Sequence, residues 1–237
     1  MTGITDMHCH ILPEMDDGSK SMEETLAALE EAERQGIERM IITPHFHPQR
    51  YVVAAPRILE ALNRVKRECA REGIGIELYP GQECYYYSGL VQELDEGRAL
   101  TLCDTRFVLV EFDPGCPYSF LKNGLDTLRQ NGYVPIVAHF ERYECLLEDS
   151  HLKELRSHQY LLQMNYDMLL QRGGLFSESR WRKLIRSGYV DYLGSDCHGT
   201  HFRPLHVKEA CSWMEKKLDH HIAERILHEN FDRLVYG

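Results

Sequence analysis

The stretch Asp6-Met7-His8-Cys9-His10, followed at once by Asp16-Asp17-Gly18, holds the residue types of half a metal site. Two histidines at i and i+2 project from the same face of an extended strand, so both imidazoles can reach one cation where that strand ends at a cavity. A neutral imidazole keeps a fixed tautomer for metal binding when an acceptor holds its second N–H, and Asp6 is a carboxylate that could do this. By itself His-x-His reads equally well as a polar strand end. The rest of the chain decides. Candidate ligands recur at the predicted strand exits: His8 and His10 after the first strand, His45 after the second, Glu83 after the third and Glu111 at the end of the fourth. His139 follows the fifth strand, and Asp196 with His198 follows the last. In parallel α/β folds the C-terminal strand ends gather on one face, so these residues converge although they are far apart in sequence.

The elements that must position them alternate short β-rich runs with helical stretches, which implies parallel strands joined by crossover helices. Strands are predicted over 4–8, 40–43, 76–79, 107–112, 134–138, 160–164 and 190–193. Ser21 with Glu24 forms a capping box ahead of a helix over 25–35, and Gly36 stops it. Pro56 opens a helix over 57–72 that ends before Gly73. Further helices fit 118–131, 152–157, 179–187, 205–218 and 222–228. Seven strands with intervening helices suggest a barrel or a closely related open sheet. No Pro/Gly/Ser linker, low-complexity segment or internal repeat divides the chain, so one domain over 1–237 is expected.

Composition narrows the function. A chain of 237 residues with 43% hydrophobic content can bury one substantial core. Its formal net charge of −10, with no evident basic tract, argues against tracking a phosphate backbone, so no nucleic-acid partner is expected. Residues 1–6 show no basic-then-apolar signal and no apolar run approaches a membrane span, which points to the cytoplasm and to no membrane insertion. The eight cysteines (9, 69, 84, 103, 116, 145, 197 and 211) form no Cys-x-x-Cys pair, so reduced thiols and no disulfides are expected.

Asp6-Met-His-Cys-His10, Asp16-Asp-Gly18, Thr43-Pro-His45, Gly81-Gln-Glu83, Val110-Glu-Phe112, Ala138-His-Phe-Glu-Arg-Tyr143 and Gly194-Ser-Asp-Cys-His198 together resemble the polymerase and histidinol phosphatase (PHP) superfamily. Within it they are similar to the CpsB/YwqE-type protein tyrosine phosphatases of capsule and exopolysaccharide loci. The likeness runs through essentially the whole chain, with the motifs in order. It implies a distorted seven-stranded TIM-like (β/α)7 barrel and a trinuclear centre with a manganese preference. One metal would take His8, His10, Glu83 and Asp196; a second would share Glu83 and add Glu111 and His139. The third would be held by Asp17, His45 and His198, with Asp16 the alternative to Asp17. The same likeness implies phosphate-binding roles for Arg142 and Arg203, and a substrate on the tyrosine-rich tail of a capsule-regulating autokinase. Phe140 stands where a proline or aliphatic residue is commoner in that family, and Cys197 sits between two ligands; neither replaces one.

Five imidazoles and four carboxylates without a thiolate suit Mn²⁺, Fe²⁺ or Zn²⁺. Three such ions would outweigh the four carboxylates by roughly two charges and attract a phosphate dianion. A hydroxide bridging two of them would be the nucleophile, since metal binding brings a water pKa down to about 7. Forked guanidinium donors suit the charge that builds on the phosphoryl oxygens, and the bland alternative for both arginines is surface salt bridging. A tyrosyl leaving group of pKa about 10 departs with little need of a general acid. Phe46, Tyr51 and Tyr85–Tyr87 read either as core or as packing for an aryl ring. His201 and His206 are candidate supports of Arg203, and Asn165 is a hydrogen-bonding residue at the barrel mouth. Three rivals stand beside this reading. Cys197 to Arg203 spells the Cys-x5-Arg of thiol-dependent phosphatases. Another PHP phosphomonoesterase, such as a histidinol phosphatase, would use the same centre, and a non-catalytic metal-stabilised adaptor would keep the ligands without turnover.

Overall fold

A computed structural model describes residues 3–171, 173, 178–200 and 203–237. Among them are nine short strands: β1 (Ile4–Cys9), β2 (Ile37–Ile42), β3 (His45–Phe46), β4 (Glu77–Pro80), β5 (Glu83–Tyr85), β6 (Phe107–Glu111), β7 (Val134–Val137), β8 (Leu161–Asn165) and β9 (Tyr192–Gly194). All pair in parallel, β1-β2-β4 in one sheet and β3-β5-β6-β7-β8-β9 in the other. The sequence predicts seven strands; β3 and β5 are two further short strands, each set off by a break from the strand before it. Pro44, which has no N–H for a ladder, separates β2 from β3. Gly81-Gln82 separates β4 from β5, at a point where a Cβ on Gly81 would lie 2.7 Å from Leu102 Cδ2. His45 and Glu83 open the short strands beyond the breaks and are register partners. The two sheets are stitched together there, Thr43 N donating to Cys9 O at 2.9 Å and Glu83 N to Pro44 O at 3.2 Å.

The curl of the parallel sheet brings the far strands together. Just past β9, Asp196 N donates to His8 O and His10 N donates to Cys197 O, both at 2.8 Å, with Cys9 and Cys197 as bridge partners. The two ligand-bearing segments most distant in sequence are therefore hydrogen-bonded neighbours. Every residue of β1 is buried, as expected of a strand covered on both faces.

Helices α1 (Met22–Arg34), α2 (Ala55–Glu72), α3 (Leu90–Asp95), α4 (Tyr118–Gln130), α5 (Asp149–Ser157), α6 (Arg180–Arg186), α7 (Val207–Lys217), α8 (His220–Glu224) and α9 (Asn230–Tyr236) cover the sheets. Ser21 caps α1 through Glu24 N, while the Glu24 carboxylate reaches Lys20 N rather than closing on Ser21. Pro56 lies in the first turn of α2 and Gly73 ends it at φ 77°, as predicted. α3 and α9 are not anticipated by the sequence reading: the first is six residues long, and the second is reached through a π turn over Arg225–Glu229. All eight cysteines are free. Among the described residues no helix is long and apolar enough to cross a membrane.

The loop that carries Asp16 and Asp17 folds back on the end of β1, with Ser19 N donating to His10 O at 3.1 Å. Gly18 packs so closely that a Cβ there would stand 1.8 Å from the His10 carbonyl oxygen. Gly18→Ala is therefore expected to lower unfolding free energy by about 2–4 kcal/mol through displaced backbone. Urea denaturation measures this, and an unchanged midpoint would contradict the close packing.

Candidate metal centre

All nine predicted ligands converge, from strand ends, from the strand breaks ahead of β3 and β5, and from the loop after β1. In a first focus, His8 Nε2 and His10 Nε2 each lie 3.3 Å from Glu83 Oε2, and 3.7 and 3.4 Å from Asp196 Oδ1. In a second, His139 Nε2 stands 2.7 Å from Glu83 Oε1 and 3.5 Å from Glu111 Oε1. In a third, Asp17 Oδ1 lies 3.5 Å from both His45 Nε2 and His198 Nε2. His45 spans two foci, because its Nδ1 is 2.9 Å from Glu83 Oε2. Asp17 faces the imidazoles. Asp16 turns away to accept from His10 Nδ1 at 2.7 Å and from the His45 and Gly18 amides.

Hydrogen bonds around the ring fix which nitrogens look inward. His8 Nδ1 donates to Gln163 Oε1 at 3.1 Å, an oxygen that also accepts from His139 N at 2.8 Å. His10 Nδ1 donates to Asp16, and His198 Nδ1 donates to the Asp196 carbonyl at 2.8 Å. His8 and His10, if neutral, therefore present lone pairs at Nε2, and these two atoms are only 3.0 Å apart. Two lone pairs at that separation repel unless a proton or a cation lies between them. Glu83 Oε2 is fully buried close to three imidazole nitrogens, yet has no directed hydrogen-bond donor. Both features fit a cation-binding pocket. The nearby thiols of Cys9 and Cys197 point at the Ile41 and Gly199 carbonyls, leaving a nitrogen and oxygen donor set suited to borderline or hard divalent ions.

Several sequence-based assignments change. Asp6 does not orient an imidazole; it accepts from Ser195 N, Ser195 Oγ and His8 N, and so clamps β1 to the segment after β9. Burial raises its carboxyl to about 6 despite those bonds. Gln163 and Asp16 fill the orienting role instead. Gln163 went unrecognised, although its place two residues before Asn165 in an apolar strand put both amides on one face. Gln163 Nε2 donates to Asn165 Oδ1, and Asn165 Nδ2 approaches Asp196 Oδ2 at 3.4 Å, in line with the role foreseen for Asn165. His206 pairs with Asp167 at 3.1 Å rather than supporting Arg203, and His201 lies outside the described residues. Phe46 is core, as is Tyr86 against Phe112. Tyr51 stacks on His45, with ring centroids 5.5 Å apart.

A cleft of about 200 Å³ opens over the centre, lined by Asp17, His45, Glu111 and Asp196, by Arg142 and Arg203, and by Arg50 and Tyr51. Arg142 Nη2 makes a short hydrogen bond to Asp196 Oδ2, and Arg203 Nη1 lies 3.3 Å from the same oxygen. Both arginines therefore reach one wall of the cleft. Cys197 is fully buried, and burial pushes its thiol up to about 12, the opposite of what a thiolate nucleophile needs.

Burial pulls the His8, His10 and His45 imidazoles down, but facing carboxylates, Glu83 and Asp16 foremost, more than offset it and leave all three raised. Burial, then the charge of Glu83, lifts Glu111 to about 7. Attraction held by groups with raised folded values is complete below their unfolded values and is lost as pH rises through the folded ones. Chelator-stripped protein is therefore expected to lose thermal stability as pH rises above about 6, and divalent metal to reverse the loss. A flat or rising midpoint above about pH 6 would count against this charge balance. Gln163→Leu, which leaves His8 Nδ1 without its acceptor, is expected to weaken metal binding about 10–100-fold by titration calorimetry; unchanged affinity would remove Gln163 from the centre.

The chain matches the model of the family described as capsular polysaccharide synthesis, CpsB/CapC, over residues 4–236. It is 30% identical over 215 residues to tyrosine-protein phosphatase YwqE of Bacillus subtilis, covering 90% of this chain and 85% of that protein. It is 28% identical over 239 residues to tyrosine-protein phosphatase CpsB of Streptococcus agalactiae, covering 98% of each. Among solved structures, one chain from the crystal structures of YwqE from Bacillus subtilis and CpsB from Streptococcus pneumoniae, described as unique metal-dependent tyrosine phosphatases, gives a TM-score of 0.88 at 29% identity. That match covers 98% of this chain and 94% of the other. On this likeness in sequence and fold, the chain belongs to the CpsB/CapC family, whose matched relatives are tyrosine-protein phosphatases.

Proposed function

We propose that this chain is a metal-dependent protein-tyrosine phosphatase that hydrolyses phosphotyrosine at a trinuclear centre, within one domain that is a distorted seven-stranded barrel when β2 with β3 and β4 with β5 are each counted as one interrupted strand. The Nε2 atoms of His8 and His10, 3.0 Å apart beside a buried carboxylate oxygen with no directed donor, carry the reading, because a cation between these groups satisfies all three. His8, His10, Glu83 and Asp196 would hold one ion, Glu83, Glu111 and His139 a second, and Asp17, His45 and His198 a third. The donor set is compatible with Mn²⁺, the ion that the family likeness favours, and with Fe²⁺ or Zn²⁺. When bound, such ions supply a water acidified toward a pKa of about 7 as nucleophile and counter the charge of the phosphate.

The protein's own groups do the rest. Arg142 and Arg203 line the cleft and offer forked N–H donors to the phosphoryl oxygens as negative charge accumulates in the transition state. Asp196 accepts from both guanidinium groups and keeps them at the cleft wall. Tyr51, held against His45, offers an aromatic face to the tyrosyl ring of the substrate. A phenolate leaving group of pKa about 10 needs no strong general acid, which agrees with a cleft lined by arginines and ligands. The substrate class inferred from the family is the tyrosine-rich tail of a bacterial tyrosine autokinase.

The test is hydrolysis of p-nitrophenyl phosphate and a phosphotyrosine peptide by chelator-stripped protein, with Mn²⁺, Fe²⁺, Zn²⁺ or Mg²⁺ restored separately. Metal-restored turnover should be abolished by His139→Ala, retained by Cys197→Ser, and lowered about 10²–10³-fold in kcat by Arg142→Ala. Loss in Cys197→Ser with no metal dependence would favour thiol chemistry. Tight metal binding with no turnover of either substrate would favour a non-catalytic adaptor.

A further inference from the structure

The loop residues on either side of Asp16-Asp17, Pro13 to Met15 and Lys20 to Met22, line a groove of about 420 Å³. Lys20 from that loop and Arg57, Arg64 and Arg67 from α2 line it, together with the carboxylates of Glu14 and Glu60. Such an excess of cations runs against the composition of a chain with net charge −10. α2 buries Ile58, Leu62, Val65 and Cys69, and that choice of inner face turns the three arginines to solvent along roughly 15 Å of helix. Glu60 stands three residues after Arg57 and four before Arg64, spacings at which ion pairs form on a helix. Yet among the described residues Arg57, Arg64 and Arg67 make no ion pair, whereas Arg71 on the same helix pairs with Glu68 at 2.9 Å. Elsewhere helix arginines are paired in the same way, Arg34 with Glu31 and Arg129 with Asp126.

One loop contributes to both the groove and the cleft. Lys20 Nζ donates to the Asp16 carbonyl at 3.2 Å; the Asp16 side chain holds His10, and the next residue, Asp17, lines the cleft. A peptide with its phosphotyrosine in the cleft would therefore pass close to the arginine row. That row matches about four or five residues of extended chain.

We propose that the groove is an exosite for anionic side chains flanking the phosphotyrosine of the protein substrate, whether acidic residues or further phosphotyrosines. The proposal rests on the phosphatase reading of the centre. It assigns Arg57, Arg64 and Arg67 to substrate affinity, not to the chemical step, so their effect appears in KM and leaves kcat alone.

The experiment uses metal-loaded enzyme and three peptides with one phosphotyrosine in common, flanked by serines, by glutamates, or by serines and a second phosphotyrosine. KM is expected to be about tenfold lower for at least one anionic flank than for the serine flank, a size consistent with three exposed charge contacts, and to approach the serine value at high salt. Which anionic peptide gains tells carboxylate from phosphate recognition. The triple variant Arg57→Gln, Arg64→Gln, Arg67→Gln should lose that discrimination while keeping kcat, p-nitrophenyl phosphate turnover and the thermal midpoint. Equal KM for all three peptides in the native enzyme, or discrimination that survives in the variant, would overturn the exosite. So would variant-sensitive binding to phosphatidylglycerol vesicles with unchanged peptide discrimination, which would make the groove a lipid-facing surface. If nothing is hydrolysed, the phosphatase reading fails on its own. Fluorescence anisotropy of the labelled glutamate peptide without phosphate then decides the groove, tighter binding to the native chain supporting it and equal binding overturning it.

Discussion

Glu83 is the point on which the structure turns. A carboxylate with no solvent exposure is tolerated only if charge or hydrogen bonding compensates its lost hydration, a deficit of several kcal/mol even after relaxation. Here burial raises its pKa, but His8, His45 and His139 outweigh burial and hold the group ionised. Those three imidazoles arrive from three separate segments of the sheet: His8 near the end of β1, His45 at the start of β3 and His139 just past β7. The break between β4 and β5 sets Glu83 at the start of a new strand, and the break between β2 and β3 does the same for His45, its register partner. The irregularities of the sheet are thus a condition of the centre: an unbroken ladder through Pro44 and Gly81 would present different residues to the cleft.

Around this carboxylate lies a ring of groups that are not among the nine proposed ligands but decide how those ligands face. Gln163 settles the tautomer of His8 and anchors the backbone of His139 through one oxygen. Asp16, which His10 and two backbone amides hold well below the usual carboxylate range despite burial, does the same for His10 and the start of β3. Asp6 lies deeper still. It binds both the amide and the hydroxyl of Ser195, so the strand carrying His8 and the segment carrying Asp196 are fastened beneath the cavity as well as across it. Orientation is therefore over-determined, which is what a centre needs if its donors are to stay converged against their mutual repulsion.

The convergence of ligands was legible in the sequence because histidines and acids are scarce in apolar strands and stand out at their ends, while parallel topology gathers those ends. The supporting ring was harder to read. Asp6 shares the face of His8, but two strand residues separate their side chains by about 7 Å, enough for Asp6 to meet Ser195 instead of an imidazole. The start of β2 at Ile37 is masked by exposed Glu38 and half-buried Arg39, which break the apolar run. At the C-terminus, the polar pair Glu229-Asn230 looks like a helix end; Asn230 is buried, spends its amide on the Asp191 carbonyl at 2.7 Å, and the chain continues into α9. For Asp6 and Asn230 the miss concerns a polar side chain whose partner comes from a distant element, information that local pattern does not contain.

Two of the ligand positions carry a second demand. His139 and Asp196 have φ of 28° and 51°, in the left-handed region that side chains other than those of Gly, Asn, Asp and His seldom occupy. At these strand exits the chain must turn sharply so that the residue after the last ladder bond aims into the cavity. The allowed alphabet is therefore filtered twice, once by donor chemistry and once by backbone geometry. Glutamate meets the first demand but fits the second poorly, and glycine meets the second but not the first. Drift among relatives would be narrower at these two positions than at His8 or Glu83, which sit in ordinary extended backbone.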